Sequence, residues 1–186
     1  MTWTIIVLAL LAIVLWGFYV SWRASRLDRL HNRVEAARTA LDLALVRRAS
    51  AASELASSGL LDPAASLLLG DAVRRARQAD SAERDLAESD LTRALRATLG
   101  DPHFRKQLVE GNVDLNAASQ GTAELVAEVE AAAQRVFIAR KFYNDLAGRT
   151  VYARRRPLAR AMRLAGSAPL PRFFDMDDSL AGEGIE

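Results

Sequence analysis

Hydrophobic residues are unevenly distributed along this chain, and their pattern changes abruptly near residue 22. Residues 3–22, WTIIVLALLAIVLWGFYVSW, contain no charged side chain. About 20 helical residues cross a hydrocarbon core of ~30 Å. Trp3 lies at one end of the stretch and Tyr19 and Trp22 at the other, where aromatic rings favour the headgroups. The pattern predicts a transmembrane anchor over residues 1–22. A cleaved signal peptide fits less well, because no basic start or small-residue cleavage site is present.

Positive charge follows the predicted anchor and predicts its orientation. Arg23, Arg26, Arg29 and Arg33 come directly after the apolar stretch, whereas only the α-amino group precedes it. Basic flanks stay on the cytoplasmic side of a membrane. We therefore expect a single-pass protein with its N-terminus outside and its body in the cytosol.

After the anchor, apolar residues recur every three or four positions, which is typical of a helix with one buried face. No break residue separates the anchor from this stripe, so both are predicted to form one continuous helix. It is expected to extend to Leu55 and to end before Gly59, which suits the position after a helix end. The stripe consists of Leu27, Leu30, Val34, Ala37, Leu41, Ala44 and Leu45.

Asp62 and Pro63 predict the start of a second helix, because an N-cap acceptor is followed by proline at the first helical position. This helix is expected to continue to Leu99, with a bend at Gly70 or near Ser81. HFRKQL, residues 103–108, could form a further turn or two, and residues 110–121 are predicted to be the least helical before the tail.

From Thr122 the apolar positions alternate at spacings of four and three, as in helices that pack along a heptad seam. The fold prediction is all-α: an N-terminal transmembrane helix continuous with an elongated antiparallel bundle of three to four helices, up-down-up, over residues 23–165. Residues 166–186 are predicted to be irregular, with a disordered acidic tail. The seam positions are Leu125, Val129, Ala132, Val136, Ala139, Tyr143 and Leu146.

The chemistry available to the chain is narrow. It has no cysteine and two histidines, so thiolate catalysis and Cys-ligated metal sites are excluded. It contains no Glu-x-x-His pair, phosphate-binding loop or nucleophile elbow. We predict no catalytic, cofactor or metal site and no enzymatic activity. Stable binding of a divalent metal at Asp28, His31 and Glu35 would support the alternative hypothesis of an enzyme.

The net charge of +2 conceals an arginine-rich segment over residues 149–172. It is followed by acidic residues, which could mask it within the chain. An alternative function is therefore electrostatic binding of anionic lipid or an acidic protein partner, whereas nucleic acid is not expected because stacking aromatics are sparse. If the helices run away from the membrane, back and away, the segment starts far from the anchor. Its arginines are Arg149, Arg154, Arg155, Arg156, Arg160, Arg163 and Arg172.

Arg140, Phe142, Tyr143 and Asn144 form the most site-like cluster in the sequence. Tyr143 lies on the seam, so it is predicted to be buried with a hydroxyl partner at the bundle edge. Arg140 and Asn144 are one turn apart on a flank of the seam. Their structural role would be interhelical hydrogen bonding, for example with Glu54 or Asp62; their alternative role would be partner recognition.

Several stretches together resemble the LemA family of single-span bacterial membrane proteins. They are residues 32–49, NRVEAARTALDLALVRRA; residues 88–95, ESDLTRAL; residues 135–145, RVFIARKFYND; and Pro157 with residues 164–174, LAGSAPLPRFF. The first carries Asn32, Arg33, Val34, Glu35, Asp42, Leu45, Arg47 and Arg48. The sequence departs from the family pattern at Ala133, at Thr150 and Val151, and over residues 100–121.

The resemblance implies an elongated antiparallel bundle on an anchor in the bacterial cytoplasmic membrane, and it implies no established catalytic activity. It also suggests a membrane metalloprotease as a partner. The leading functional hypothesis is therefore a non-enzymatic membrane scaffold or adaptor that contacts the lipid bilayer through residues 3–22. Such a protein is expected to form a homo-oligomer or to hold a membrane partner.

Overall fold

The computed structural model describes residues 2–100, 117–155 and 170–179, and within these ranges the chain forms four α-helices and no β-strand. The helices are α1 (Thr2–Ser57), α2 (Pro63–Gln78), α3 (Arg84–Gly100) and α4 (Ala117–Arg155). The all-α prediction is confirmed, including the continuity of the apolar N-terminal stretch with the first bundle helix. Predictions for residues 101–116 and 156–169, and for the tail from residue 180, fall outside the described residues.

The residues predicted to end the first helix and to begin the second, Gly59, Asp62 and Pro63, do so in the structure. Gly59 follows the end of α1 with a φ of 74°, a left-handed conformation that glycine adopts without steric cost. The Oδ1 atom of Asp62 accepts hydrogen bonds from the backbone N–H groups of Ala64 and Ala65, at 2.9 and 3.1 Å. Asp62 therefore caps α2, and Pro63 is its first residue.

The prediction of one helix from Pro63 to Leu99 is wrong, although the interruption falls near Ser81, where a bend was predicted. Gly70 lies within α2, and the chain breaks at residues 79–83. The physical cause is Asp80, whose Oδ1 atom accepts from the N–H groups of Ala82 and Glu83, at 2.8 and 3.0 Å. These bonds satisfy backbone donors of the turn at residues 81–83, directly before α3. Helix α4 also starts earlier than predicted, at Ala117.

The chain divides into two compact units, and the first combines Met1–Arg38 with Tyr143–Phe173. Within it, residues Thr2–Tyr19 form a helix that is long and apolar enough to cross a membrane, and none of it is buried. The C-terminal part of α4 accompanies the portion of α1 up to Arg38, so α4 runs back towards this apolar span. The expectation that the arginine segment starts far from the anchor is therefore corrected. Buried residues of this unit include Val34, Ala37, Tyr143, Leu146, Ala147 and Thr150.

The second unit combines Thr39–Phe142 with Phe174–Glu186, and all four helices contribute to its core. Helix α1 supplies mainly alanines and Leu55, whereas α2 and α3 supply the larger Leu69, Leu91 and Leu95. Helix α4 contributes Val129 and Ala132, both of them predicted seam positions. Many contacts are thus made by small side chains, which bring helices close but bury little apolar area each.

A buried ion pair joins α1 to α3 within the second unit. The Nη2 atom of Arg48 lies 2.6 Å from Oε2 of Glu88, and the two side chains are 2% and 3% exposed. The guanidinium also donates to the Glu88 carbonyl at 3.1 Å and to Oγ1 of Thr92 at 2.8 Å. Burial raises the pKa of the Glu88 carboxyl, while the Arg48 charge opposes that shift. Beside this pair, Arg84 on α3 bridges to Asp42 on α1 at 3.2 Å.

We expect Arg48→Met to lower the free energy of unfolding by about 3–5 kcal/mol, because it leaves the Glu88 carboxylate buried without its counter-charge. The double replacement Arg48→Met/Glu88→Leu should recover most of this loss, since it removes both desolvated charges. Urea titration of the detergent-solubilised chain, followed by circular dichroism, measures the effect. The neighbouring Arg47→Met is the matched control, because Arg47 is exposed. Equal losses for Arg47 and Arg48 would contradict the prediction.

Candidate functional site

Arg140 of the candidate cluster binds the C-terminal segment of the chain itself. Its Nε and Nη2 atoms lie 2.8 and 2.6 Å from Oδ2 of Asp178, and the two side chains are 20% and 15% exposed. For Arg140, the predicted partners Glu54 and Asp62 are therefore wrong, and Asp62 caps α2 instead. Arg140 connects α4 to an irregular segment rather than to another helix.

Tyr143 is buried, as its seam position predicts, and is 1% exposed. Its hydroxyl donates a hydrogen bond to the backbone carbonyl of Arg172 at 2.6 Å. Arg38 on α1 approaches the same hydroxyl, with Nη1 at 3.5 Å. Within the first unit, Tyr143 thus satisfies its polar end at the backbone leading into the C-terminal segment.

The other two members of the cluster are placed differently. Phe142 is 58% exposed, and Ile138, one turn earlier on the same helix face, is 56% exposed. Asn144 is partly buried. The cluster thus separates into Arg140, Tyr143 and Asn144, which are at least partly buried, and Phe142, which forms an exposed apolar pair with Ile138 outside the cluster.

The C-terminal segment, residues 170–179, lies against the helices without forming a regular element up to residue 178. Phe174 and Met176 are buried at 5% exposure each, whereas Phe173 and Asp175 are exposed. This period of two is that of an extended strand, in which alternate side chains point to opposite sides. The segment therefore presents one apolar edge to the second unit.

Polar contacts fix this segment along α3. The N–H of Asp175 donates to Oδ2 of Asp85 at 3.3 Å, and the N–H of Asp177 donates to Oγ of Ser89 at 3.0 Å. The segment thus advances in the same direction as α3. Oδ2 of Asp177 accepts from Nη2 of Arg96 at 2.9 Å. Hydrogen bonds from the side chain and backbone of Ser179 hold the pKa of Asp177 below its usual value, and Arg96 adds to the effect.

We call this binding surface the C-terminal groove; it is defined by Asp85, Ser89, Arg96 and Arg140. It was missed from the sequence, which assigned residues 166–186 only an irregular conformation and a disordered tail. The available signal was FDMDD, residues 174–178, in which each of two apolar residues is followed by an aspartate and a third aspartate ends the stretch. These acids were considered as a mask for the arginine segment, but Asp177 and Asp178 pair with arginines of α3 and α4.

The remaining predicted residues divide between the apolar span and the end of α4. Trp3, Tyr19 and Trp22 are 79%, 36% and 55% exposed. Arg149 pairs with Asp145 one turn earlier, at 2.9 Å on an exposed face. Arg154 and Arg155 lie in the last turn of α4. Arg156, Arg160 and Arg163 lie outside the described residues.

The described side chains include no cluster of three or more histidines, aspartates or glutamates that could hold a metal ion. The described residues offer two arginines that bind an acidic segment, Arg96 and Arg140, and an exposed apolar pair, Ile138 and Phe142. Comparisons with protein-family models, curated proteins and solved structures yield no match.

We expect Phe174→Ala to release the C-terminal segment, whereas Phe173→Ala should leave it in place. Truncating a buried aromatic side chain removes a large apolar contact, and the neighbouring exposed phenylalanine is a control of the same chemistry. Hydrogen exchange at the amides of Asp175 and Asp177 should accelerate at least about tenfold in Phe174→Ala. Similar exchange in both variants would show that Phe174 does not hold the segment.

Proposed function

We propose that this protein is a membrane-anchored, non-enzymatic scaffold that associates with further copies of itself. The observation that carries the proposal is the exposed pair Ile138 and Phe142 on α4, next to residues that hold the protein's own structure. Large apolar side chains grouped on an exposed helix face are characteristic of interaction surfaces. A second pair, Leu43 and Val46, lies three residues apart on α1, with 52% and 55% exposure.

The apolar span supports the anchored part of the proposal. Residues Thr2–Tyr19 expose a continuous apolar surface that a bilayer would cover. The positive charges after it support an N-terminus outside and the helical body in the cytosol. The stretches that resemble LemA proteins support a bacterial cytoplasmic membrane and a membrane metalloprotease as a further partner.

We expect full-length protein in mild detergent to have a discrete protein mass of two or more times 20.3 kDa, measured by light scattering with the detergent contribution subtracted. Ile138→Ser/Phe142→Ser should lower this mass, because it replaces the exposed apolar pair with polar groups. Glu128→Ser is the control, since Glu128 is an exposed polar residue of the same helix. A wild-type monomer would refute self-association.

A second candidate function, binding of anionic lipid, is favoured by the direction of α4. In the first unit Tyr143 lies beside Arg38, and α4 continues from there towards the apolar span. Counting twelve residues along both helices from this contact, we infer that Arg155 comes level with Arg26 of α1. That level is only about 6 Å beyond Trp22 at 1.5 Å per residue. Basic side chains so close to a membrane attract acidic headgroups.

We expect a peptide of residues 146–186 to bind vesicles containing phosphatidylserine, and to lose most of this binding between low and high salt. Each arginine near an anionic surface contributes about 1 kcal/mol, so Arg154→Gln/Arg155→Gln should weaken binding about thirtyfold. Flotation with neutral vesicles is the control. Binding to neutral and anionic vesicles alike would rule out headgroup recognition.

A further inference from the structure

We propose that the C-terminal groove accepts the FDMDD segment of a second copy of this chain, so that copies are linked by exchange of their C-terminal segments. This inference rests on the proposed self-association and assigns it a contact. Its occupant is known by its chemistry: Phe174 and Met176 fill the apolar side, and Asp177 and Asp178 meet Arg96 and Arg140.

The first argument is the modular character of this contact. Within the second unit, residues 174–178 carry both the buried apolar edge and both ion pairs. The N–H groups of Asp175 and Asp177 donate to side chains of α3 rather than to a ladder of backbone carbonyls. Such a contact resembles a docked peptide, in which pockets for alternate side chains and charge pairs supply recognition. An identical segment from another copy reproduces every one of these contacts.

The second argument is electrostatic. The groove also contains Asp85, which accepts from the N–H of Asp175. Its two arginines, however, meet Asp177 and Asp178, so any two copies are complementary in charge at these two pairs. The Arg140–Asp178 pair is the better shielded of the two, with its side chains 20% and 15% exposed against 41% and 38% for Arg96–Asp177. Reversing the charge of Arg140 should therefore weaken binding of the segment more than reversing the charge of Arg96.

The third argument is covalent reach. Fourteen residues, 156–169, separate the end of α4 from Leu170. A chain of that length spans at most about 46–50 Å when extended. The connection therefore permits delivery of the segment to a neighbouring copy as well as to its own groove. Exchange of an identical element between copies costs little, because the same contacts are made in both arrangements.

The test uses two full-length variants with different affinity tags, co-expressed and purified in mild detergent. Arg140→Asp gives a copy whose groove repels its own tail, and Asp178→Arg gives a copy whose tail is repelled by its own groove. Between the two copies, however, the reversed tail meets the reversed groove. We expect this mixed pair to co-purify at least about tenfold more than either variant with itself. Arg149→Asp, which reverses an exposed arginine outside the groove, should co-purify like the wild type.

A second pair of variants, which reverses no charge, tests the same proposal with a smaller risk of misfolding. Phe174→Ala removes the apolar edge of the tail, and Arg96→Gln/Arg140→Gln removes the groove charges; circular dichroism checks that each variant is folded. We expect Phe174→Ala to co-purify with Arg96→Gln/Arg140→Gln, because the intact tail of the second can bind the intact groove of the first. Two Phe174→Ala copies should co-purify less, because neither has an intact tail. Undiminished association of two Phe174→Ala copies, with no rescue in the charge-reversed pair, would overturn exchange while leaving self-association intact. Absence of association between wild-type copies would overturn both proposals.

Discussion

The buried pair of Arg48 and Glu88 sets the position of α3, and the C-terminal groove depends on it. A desolvated charge is tolerated only where its partner and its hydrogen bonds are in place, so α1 and α3 are held in one register. Ser89 directly follows Glu88, and Arg96 lies about two turns further along the same helix. A slip of α3 would break the ion pair and would also displace the three α3 residues that contact the C-terminal segment, Asp85, Ser89 and Arg96.

The small side chains of the core explain why such polar contacts matter here. Beside Leu41, Leu45 and Leu55, the α1 face of the second unit includes Ala44, Ala49, Ala51 and Ala52, whose burial releases little apolar area. The C-terminal segment adds the larger Phe174 and Met176 to the same unit. It is thus part of the folded structure of this unit as well as a candidate ligand. Because Phe174 also stabilises the unit, its truncation needs a control of the same size and chemistry in the same segment, which the exposed Phe173 provides.

The sequence predicts local features well because their causes are local. Asp62, Pro63 and Gly59 determine helix ends within four residues, and the heptad spacing places Val129, Val136 and Tyr143 in the interior. A bend near Ser81 is predicted, but the full interruption there was missed, because an aspartate that holds a turn looks like any polar surface residue of a continuing helix. The partner of Arg140 was missed because it lies 38 residues away, in a segment without helical periodicity. Burial of Arg48 and Glu88 likewise depends on two helices meeting, which spacing within either helix does not reveal.

Arg140 and the exposed apolar pair lie on different faces of helix α4. Successive residues of an α-helix are about 100° apart, so Ile138 and Phe142 lie about 40° from each other and each about 200° from Arg140. Binding of a C-terminal segment at Arg140 therefore leaves the apolar pair accessible, whether that segment belongs to the same copy or to another. The two surfaces can act together, one through charge and alternate apolar side chains, the other through a simple apolar face. A protein with both could extend an assembly beyond a pair of copies, because neither contact occupies the surface that the other requires.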